Sequence, residues 1–565
     1  MKTKIIHLNI NGMTCSSCSS HIEKDMNLTD GIVSSIVNHE TGKGEFTIDT
    51  SKMSKEELID AVNGIGDYSV IIEADMETAV VSNSESTIIE DSSSDKNDYD
   101  LIIIGGGSSA FSAAIKAENL GLTTLMVNGG LDFGGTCVNV GCVPSKNLIR
   151  AAETAYHATH SNFKGIKPKG VEIDFKQVIK DKKELVAELQ QQKYMDVVSD
   201  FEKLTMLKGW AKFVDNNSII VDGEDTYTAT NVLIATGATT NIPNIEGLNE
   251  VGYLTNVSLF DLEEQPKSLT IMGAGYIGLE IAQAYSRLGV KVRIIEFTDR
   301  PLRSETEDIT DVLEVQMKSE GIEFLPNFRA FKFEKEGDNT IIHCKCPDDS
   351  ITQIIEEGHI VVATGTKPNT SKLGLENIDL KLTERGHILV NEKMETNISN
   401  IYAAGDVTNT PPFVYTAATE GNTAVNNAFS LSKNNIDYSS LPWVVFTDPQ
   451  IAGAGMDEVE AEKSGISFEV SKLDLIHVPR ALAAQDTRGF IKLIRNTETD
   501  KLIGARVIAP EGGELIQQLS MAIKFGITIK DLAESFYPYL TLSEGIKLAA
   551  ITFGKDVSKL SCCAS

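Results

Sequence analysis

Gly134-Gly135-Thr136-Cys137-Val138-Asn139-Val140-Gly141-Cys142-Val143-Pro144-Ser145-Lys146 holds two cysteines with four residues between them, and a lysine lies four residues past the second. Small residues let a backbone press close to a flat cofactor. The run Lys146 to Glu153 reads as a helix, so thiols at its start feel the positive end of its dipole. That field favours thiolate at neutral pH. The pattern predicts a redox-active dithiol. A pair of buried structural cysteines is the bland alternative, and the nucleotide-binding pattern directly upstream argues against it.

That upstream pattern begins with the apolar run Tyr99 to Ile104, read as a buried strand. Gly105, Gly107 and Ala110 follow with Gly-x-Gly-x-x-Ala spacing, then a helix from Phe111 to Asn119. Strand, glycine turn and helix form a pyrophosphate site at a helix N-terminus. The next strand, Thr123 to Val127, ends at Asn128, where an acid usually binds the ribose. An asparagine can still bond a hydroxyl, without charge. Val232 to Gly237, with Thr236 and Gly237 at its end, and Ile401 to Val407 complete a flavin half. In the second of these, Gly405 and Asp406 are placed for the ribityl or phosphate side of FAD. An ordinary strand-to-turn Gly-Asp is the alternative there.

A second fingerprint follows the strand Ser268 to Met272. It comprises Gly273, Gly275 and Gly278, on a helix running to Leu288. The strand Val290 to Ile295 ends at Glu296. An acid there suits the free 2′-hydroxyl of NADH and repels a 2′-phosphate. Arg300 and Arg303 stand close enough to serve a phosphate, so the sequence leaves NADH and NADPH both open. Gly135, Thr136, Lys146, Tyr276 and Gly365 complete the candidate cofactor contacts.

The first 72 residues are a different kind of unit. Strands are expected at Lys4–Ile10, Ile32–Val37, Gly44–Ile48 and Tyr68–Ile72, and helices at Ser19–Met26 and Ser54–Val62. Ser54 and Glu57 form a capping box. The order βαββαβ predicts a ferredoxin-like fold. Its first loop carries Gly12-Met13-Thr14-Cys15-Ser16-Ser17-Cys18, two thiols spaced to grip one soft ion. Zinc would want four ligands, and no second pair lies near. The Gly-Met-Thr-Cys-x-x-Cys loop resembles that of heavy-metal-associated domains; a thioredoxin-like Cys-x-x-Cys is the rival reading. Residues 73–97, rich in Ser, Asp and Glu, read as a flexible acidic linker. Such a tether keeps a module at high effective concentration near its neighbour, although a mere spacer would look the same.

The chain has 565 residues, too many for one core, so three or four domains are expected. Lys plus Arg number 51 against 80 Asp plus Glu, a formal charge of −29. That balance argues against nucleic acid as a partner. No stretch approaches a membrane span and the N-terminus lacks a signal-peptide core, so a cytoplasmic location is expected. The eight cysteines fall in four pairs rather than a disulfide framework. Cys344 and Cys346 sit on one face of an expected strand. Ordinary strand cysteines are the plainer reading there, and a metal pair the sharper one. Cys562 and Cys563, adjacent near the end, would make a strained disulfide but a good clamp for a soft ion.

From residue 98 onward the chain resembles the class I pyridine nucleotide–disulfide oxidoreductases. The resemblance rests on the two fingerprints and the Cys137–Cys142 stretch. It implies an α/β and α+β multidomain protein: two Rossmann-like domains for FAD and NAD(P), then an α+β dimerisation domain. The boundaries it suggests are 1–72 (metal-associated), 73–97 (linker), 98–245 and 369–440 (FAD), 246–368 (NAD(P)) and 441–565 (dimerisation). It further implies that Lys146 pairs with Glu280 near the flavin and that Tyr276 covers it until nicotinamide enters. Members that reduce disulfides carry a histidine general base in the last domain. Here Tyr537-Pro538-Tyr539-Leu540-Thr541-Leu542-Ser543-Glu544 stands, and no histidine follows His477. A phenol with pKa near ~10 is a poor base at neutral pH. Tyr539 in that place, the metal-associated module and Ser561-Cys562-Cys563 resemble the mercury-reducing members. They imply that Hg(II), delivered as thiol complexes, is the substrate of a homodimer with shared active sites. In that reading Cys15 and Cys18 capture the ion, Cys562 and Cys563 relay it, and Cys137 and Cys142 present it for reduction. Tyr194 and Tyr539 line the site. A lipoamide- or glutathione-type disulfide reductase and a non-catalytic metal-sequestering flavoprotein are the rivals.

Overall fold

The computed structural model describes residues 97–556 and, nearer the N-terminus, 3–11, 31–38, 43–50, 52–65, 68–71 and single positions between 19 and 29. Two compact units result, Met1–Ser93 and Ser94–Ser565.

In the first unit the strands Thr3–Asn11, Ile32–Asn38, Lys43–Asp49 and Ser69–Ile71 make one sheet. Thr3–Asn11 lies between Lys43–Asp49 and Ser69–Ile71, antiparallel to both. Alternation decides which face is buried: Ile6, Leu8 and Ile10 on one strand and Phe46 and Ile48 on the next all point inward. Leu58 and Val62, one helical turn apart on Lys55–Asn63, close the core with Ile22 and Met26. Ser54 and Glu57 form the expected capping box, each side chain holding the other's backbone N–H. Cys15 and Cys18, and the 73–96 stretch of the expected linker, lie outside the described residues.

The second unit begins with a mainly parallel sheet. Its neighbours in order are Leu204–Lys208, Thr124–Asn128, Asp98–Ile104 and Asp225–Ile234, then Ser218–Val221 and Ala211–Phe213. Ile401–Ala403 returns to pair with Asp225–Ile234. Leu101 to Ile104 are all buried because helices cover this sheet, which is why the sequence shows an unbroken apolar run. A second parallel sheet orders Glu323–Leu325, Lys291–Ile295, Ser268–Met272 and His359–Val362. The short antiparallel pair Ala238–Thr240 and Thr366–Pro368 joins the two sheets' territories. The C-terminal part is a five-stranded antiparallel sheet backed by the helices Gly512–Lys524 and Glu544–Ile551.

Several boundaries differ from expectation. The fingerprint helix starts at Ser108, directly after Gly107, rather than at Phe111. The dithiol stretch is already helical: Gly135–Val140 forms a short helix, Gly141 breaks it, and a second runs Cys142–Thr159. Cys344 is fully buried in a strand and Cys346 lies just past that strand's end, which fits the plain reading of this pair. No described helix is long and apolar enough to cross a membrane.

Candidate active site

The first fingerprint loop and the dithiol stretch pack directly on each other. Gly134 N–H donates to Gly106 O at 2.7 Å. A Cβ on Gly135 would lie 2.5 Å from the Gly107 Cα, so only glycine permits this approach. Cys142 is the first residue of its helix. Its sulfur therefore feels the unsatisfied N–H groups of the first turn. Cys137 sits on the short helix before it.

The two sulfurs divide one proton unequally. The Cys142 thiol is pulled down to about 7, chiefly by a hydrogen bond from Cys137, with the Lys146 charge helping and burial opposing. Cys137 is pushed up, first by that same hydrogen bond and then by burial. Of the pair, Cys142 is therefore the sulfur that ionises more readily, with Cys137 as its hydrogen-bond donor.

Lys146, one turn past Cys142, meets Glu280 of the second fingerprint helix, Tyr276–Arg287, at 2.8 Å. The other Glu280 oxygen accepts the Phe446 N–H at 2.9 Å, and Lys146 Nζ lies 4.6 Å from the Phe446 ring centroid. Phe446 belongs to the C-terminal part, so three parts of the unit meet at this ion pair. Tyr276 stacks on Trp443 with centroids 5.8 Å apart and 17° between planes. Burial, then the charge of Glu305, pushes the Tyr276 phenol up to about 12. Trp443 in turn lies over Arg506, whose buried guanidinium pairs with Glu305 at 2.9 Å.

Tyr194 stands on a π-helical turn, Gln191–Met195, a distortion common at functional sites. Its hydroxyl shares a hydrogen bond with Ser108 Oγ at 3.1 Å, and its ring meets Phe111 edge-on. Tyr539 lies in the turn after Tyr537, 57 % exposed. The Glu544 carboxylate accepts the neighbouring Leu540 N–H, so it braces this turn. Cys562 and Cys563 lie outside the described residues.

A cavity of about 1820 Å³ has Cys142, Lys146, Glu280, Tyr276, Gly365 and Asp406 among its lining residues. Both fingerprint helices begin at a glycine with no side-chain cap, leaving N–H groups for a pyrophosphate. A Cβ on Gly275 would meet nothing within 4 Å, so the space over the second loop is open. FAD and a nicotinamide dinucleotide fit this donor set. Ala110 is fully buried and serves by letting the helix pack close. Asn128 faces Gly106 and donates to Leu131 O at 2.8 Å. The Thr236 hydroxyl donates to Asn369 O, and Asn369 donates through its side-chain amide to Thr236 O and through its N–H to Gly237 O. Burial, then Glu420, raises Asp406 to about 6. Glu420 is itself fully buried, accepting from Gly405 N–H and Tyr438.

Sequence reasoning missed Phe446, Trp443, Glu420 and Arg506. Phe446, Trp443 and Arg506 lie far along the chain from what they touch, and nothing in the local spacing of any of the four marks it. Only the unusual burial of a charge would have flagged Glu420 and Arg506.

Models of three known families match the chain. They are the pyridine nucleotide-disulphide oxidoreductases over residues 99–421, their dimerisation domain over 441–550, and the heavy-metal-associated domain over 7–85. Mercuric reductase from Staphylococcus aureus is 39 % identical over 558 residues, 98 % of each chain. That from Bacillus cereus is 38 % identical, covering 99 % of this chain and 87 % of the other. The Streptomyces lividans mercuric reductase is 41 % identical, covering 82 % of this chain and 98 % of its own. Among solved structures, the Cu(II) complex of an HOCl-induced flavoprotein disulfide reductase from Escherichia coli superposes with a TM-score of 0.73. It is 27 % identical, covering 81 % of this chain and all of that one.

Proposed function

The chain belongs to the mercuric reductases, a family of pyridine nucleotide-disulphide oxidoreductases, and on that footing we propose that it reduces Hg(II) to Hg(0) with NAD(P)H and so detoxifies mercury. The observation that carries the proposal is the Cys137–Cys142 pair, with Cys142 at the head of a helix and lining the cavity beside Lys146 and Glu280. The overall change is NAD(P)H plus Hg(II) to NAD(P)⁺, a proton and Hg(0). FAD, when bound, supplies the two-electron relay between nicotinamide and the metal site.

The protein's own groups do the rest. Each sulfur displaces one thiolate ligand of the incoming ion: Cys142 attacks as the more readily ionised sulfur, and the proton of Cys137 passes to the thiolate that it displaces. Lys146, fixed by Glu280, supplies a positive charge that steadies the thiolate. Tyr276 and Trp443 wall the nicotinamide side. Tyr194 and, from the partner subunit in the homodimer this family forms, Tyr539 complete the lining. Cys15 and Cys18 pass Hg(II), arriving as thiol complexes, to Cys562 and Cys563, which hand it to the inner pair of the other subunit. Each transfer swaps one sulfur ligand for another, so the ion is never bare. The division into residues 1–72, 73–97, 98–245 with 369–440, 246–368 and 441–565 belongs to the same reading.

Hg(II)-dependent oxidation of NADPH and NADH, with volatile mercury collected, tests the reaction. Cys137→Ala or Cys142→Ala is expected to abolish it. The double change Cys15→Ala and Cys18→Ala is expected only to slow it, because the core meets Hg–thiol complexes directly. A dead double variant would refute that division of labour. Lipoamide or glutathione disulfide turnover at comparable rates would restore the disulfide-reductase reading.

A further inference from the structure

We propose that NADH, rather than its 2′-phosphorylated relative, is the nicotinamide this chain is built to bind, and that the placement of Glu296 decides it. The proposal rests on the nicotinamide-dependent reading above and deepens it.

The strand Lys291–Ile295 ends at Glu296, which is 6 % exposed. One carboxylate oxygen accepts the Ala274 N–H of the fingerprint loop at 2.7 Å. The other accepts the Thr298 N–H at 2.8 Å and hydroxyl at 2.9 Å. The side chain is therefore fixed in the crevice at the carboxyl ends of two neighbouring parallel strands, where a dinucleotide's adenosine ribose lies. A carboxylate offers roughly four acceptor positions, and the three donors leave one, on the oxygen that faces the loop. A ribose hydroxyl can donate to it. A phosphate dianion has no proton to give and meets a fixed negative charge instead.

A 2′-phosphate needs cations; of the nearby ones, Arg300 keeps only its buried Nε without a partner and Arg303 stands alone. Arg300 turns back onto its own loop. One terminal nitrogen pairs with Glu307 at 2.9 Å, and the other donates to the carbonyls of Glu305 at 3.0 Å and Arg303 at 3.5 Å. Arg303 is exposed, and so is Asp299 on the same loop. Directly after Glu296 comes Phe297, 71 % exposed. An apolar ring rather than a cation thus follows the acid along the chain.

The test is calorimetric titration of the flavin-loaded full-length protein with ADP-ribose and with its 2′-phosphate, without Hg(II). ADP-ribose is expected to bind at least about tenfold tighter. Anaerobic bleaching of the flavin should likewise be faster with NADH than with NADPH. Equal or tighter binding of the phosphorylated ligand would overturn the proposal. Phe297→Arg, a change at an exposed side chain, is expected to narrow or reverse the ratio. An unmoved ratio in that variant would mean that the 2′ position lies elsewhere, which also overturns the assignment. Because no metal enters these measurements, a protein that failed to reduce Hg(II) yet kept the binding ratio would count against the reaction alone.

Discussion

At Cys142 several influences of unequal size act on one sulfur. The hydrogen bond from Cys137 is the largest lowering influence, burial works against it, and the charge of Lys146 adds to it. Alkylation of the reduced protein by iodoacetamide reads the thiolate directly. The Cys142 rate should rise about tenfold per pH unit below the inflection and level off above it. That inflection is expected near the value of about 7 set by these neighbours. In Cys137→Ala the donor is gone, the thiolate loses its main support, and the inflection must move up toward the ordinary thiol value. Less Cys142 would then be ionised at neutral pH. An inflection that stays put would mean that the hydrogen bond is not the source.

Helix crossings hold the flavin half together. The helices Ser108–Asn119 and Val414–Phe429 cross so closely that a Cβ on Gly421 would lie 2.1 Å from the Ser109 carbonyl oxygen. The second helix also carries Glu420, which fixes Gly405 N–H beside Asp406. Gly421→Ala is expected to force the helices apart at a cost of about 1–3 kcal/mol. Because the crossing sets the distance between the fingerprint loop and Asp406, the variant should lose FAD on gel filtration as well as melt earlier. Full flavin retention in a destabilised variant would separate the crossing from the cofactor site.

A buried charge network ties the second unit into one body. Arg287 bonds Glu320 and Asp448, and Arg488 also holds Asp448; the Tyr156 ring of the dithiol helix covers Arg287 with 4.1 Å to the centroid. Gln283, one turn before Arg287, bonds the same Asp448 backbone and Glu320. Removing one member of a buried pair strands the other charge, so Arg287→Met is expected to cost about 3–5 kcal/mol by urea denaturation. A second expectation belongs to the dimer. A chain lacking Cys137 and Cys142, coexpressed with one lacking Cys562 and Cys563, should regain Hg(II) turnover that neither has alone. Mixed dimers without activity would show that the sites are not shared between subunits.

The amino-acid order alone determined the two nucleotide-binding turns, the dithiol and the βαββαβ module. Each is written as residue types at fixed short spacing: glycines where a backbone must approach closely, apolar residues at strand or helix period, a Ser-x-x-Glu cap. It also made the Lys146–Glu280 pair legible, through family resemblance. Only the folded chain decided that Phe446 and Trp443 complete the site, and that Glu296 grips the fingerprint loop while Arg300 turns away. Those outcomes depend on burial and on distances of a few ångströms between groups remote along the chain, and no local spacing encodes them.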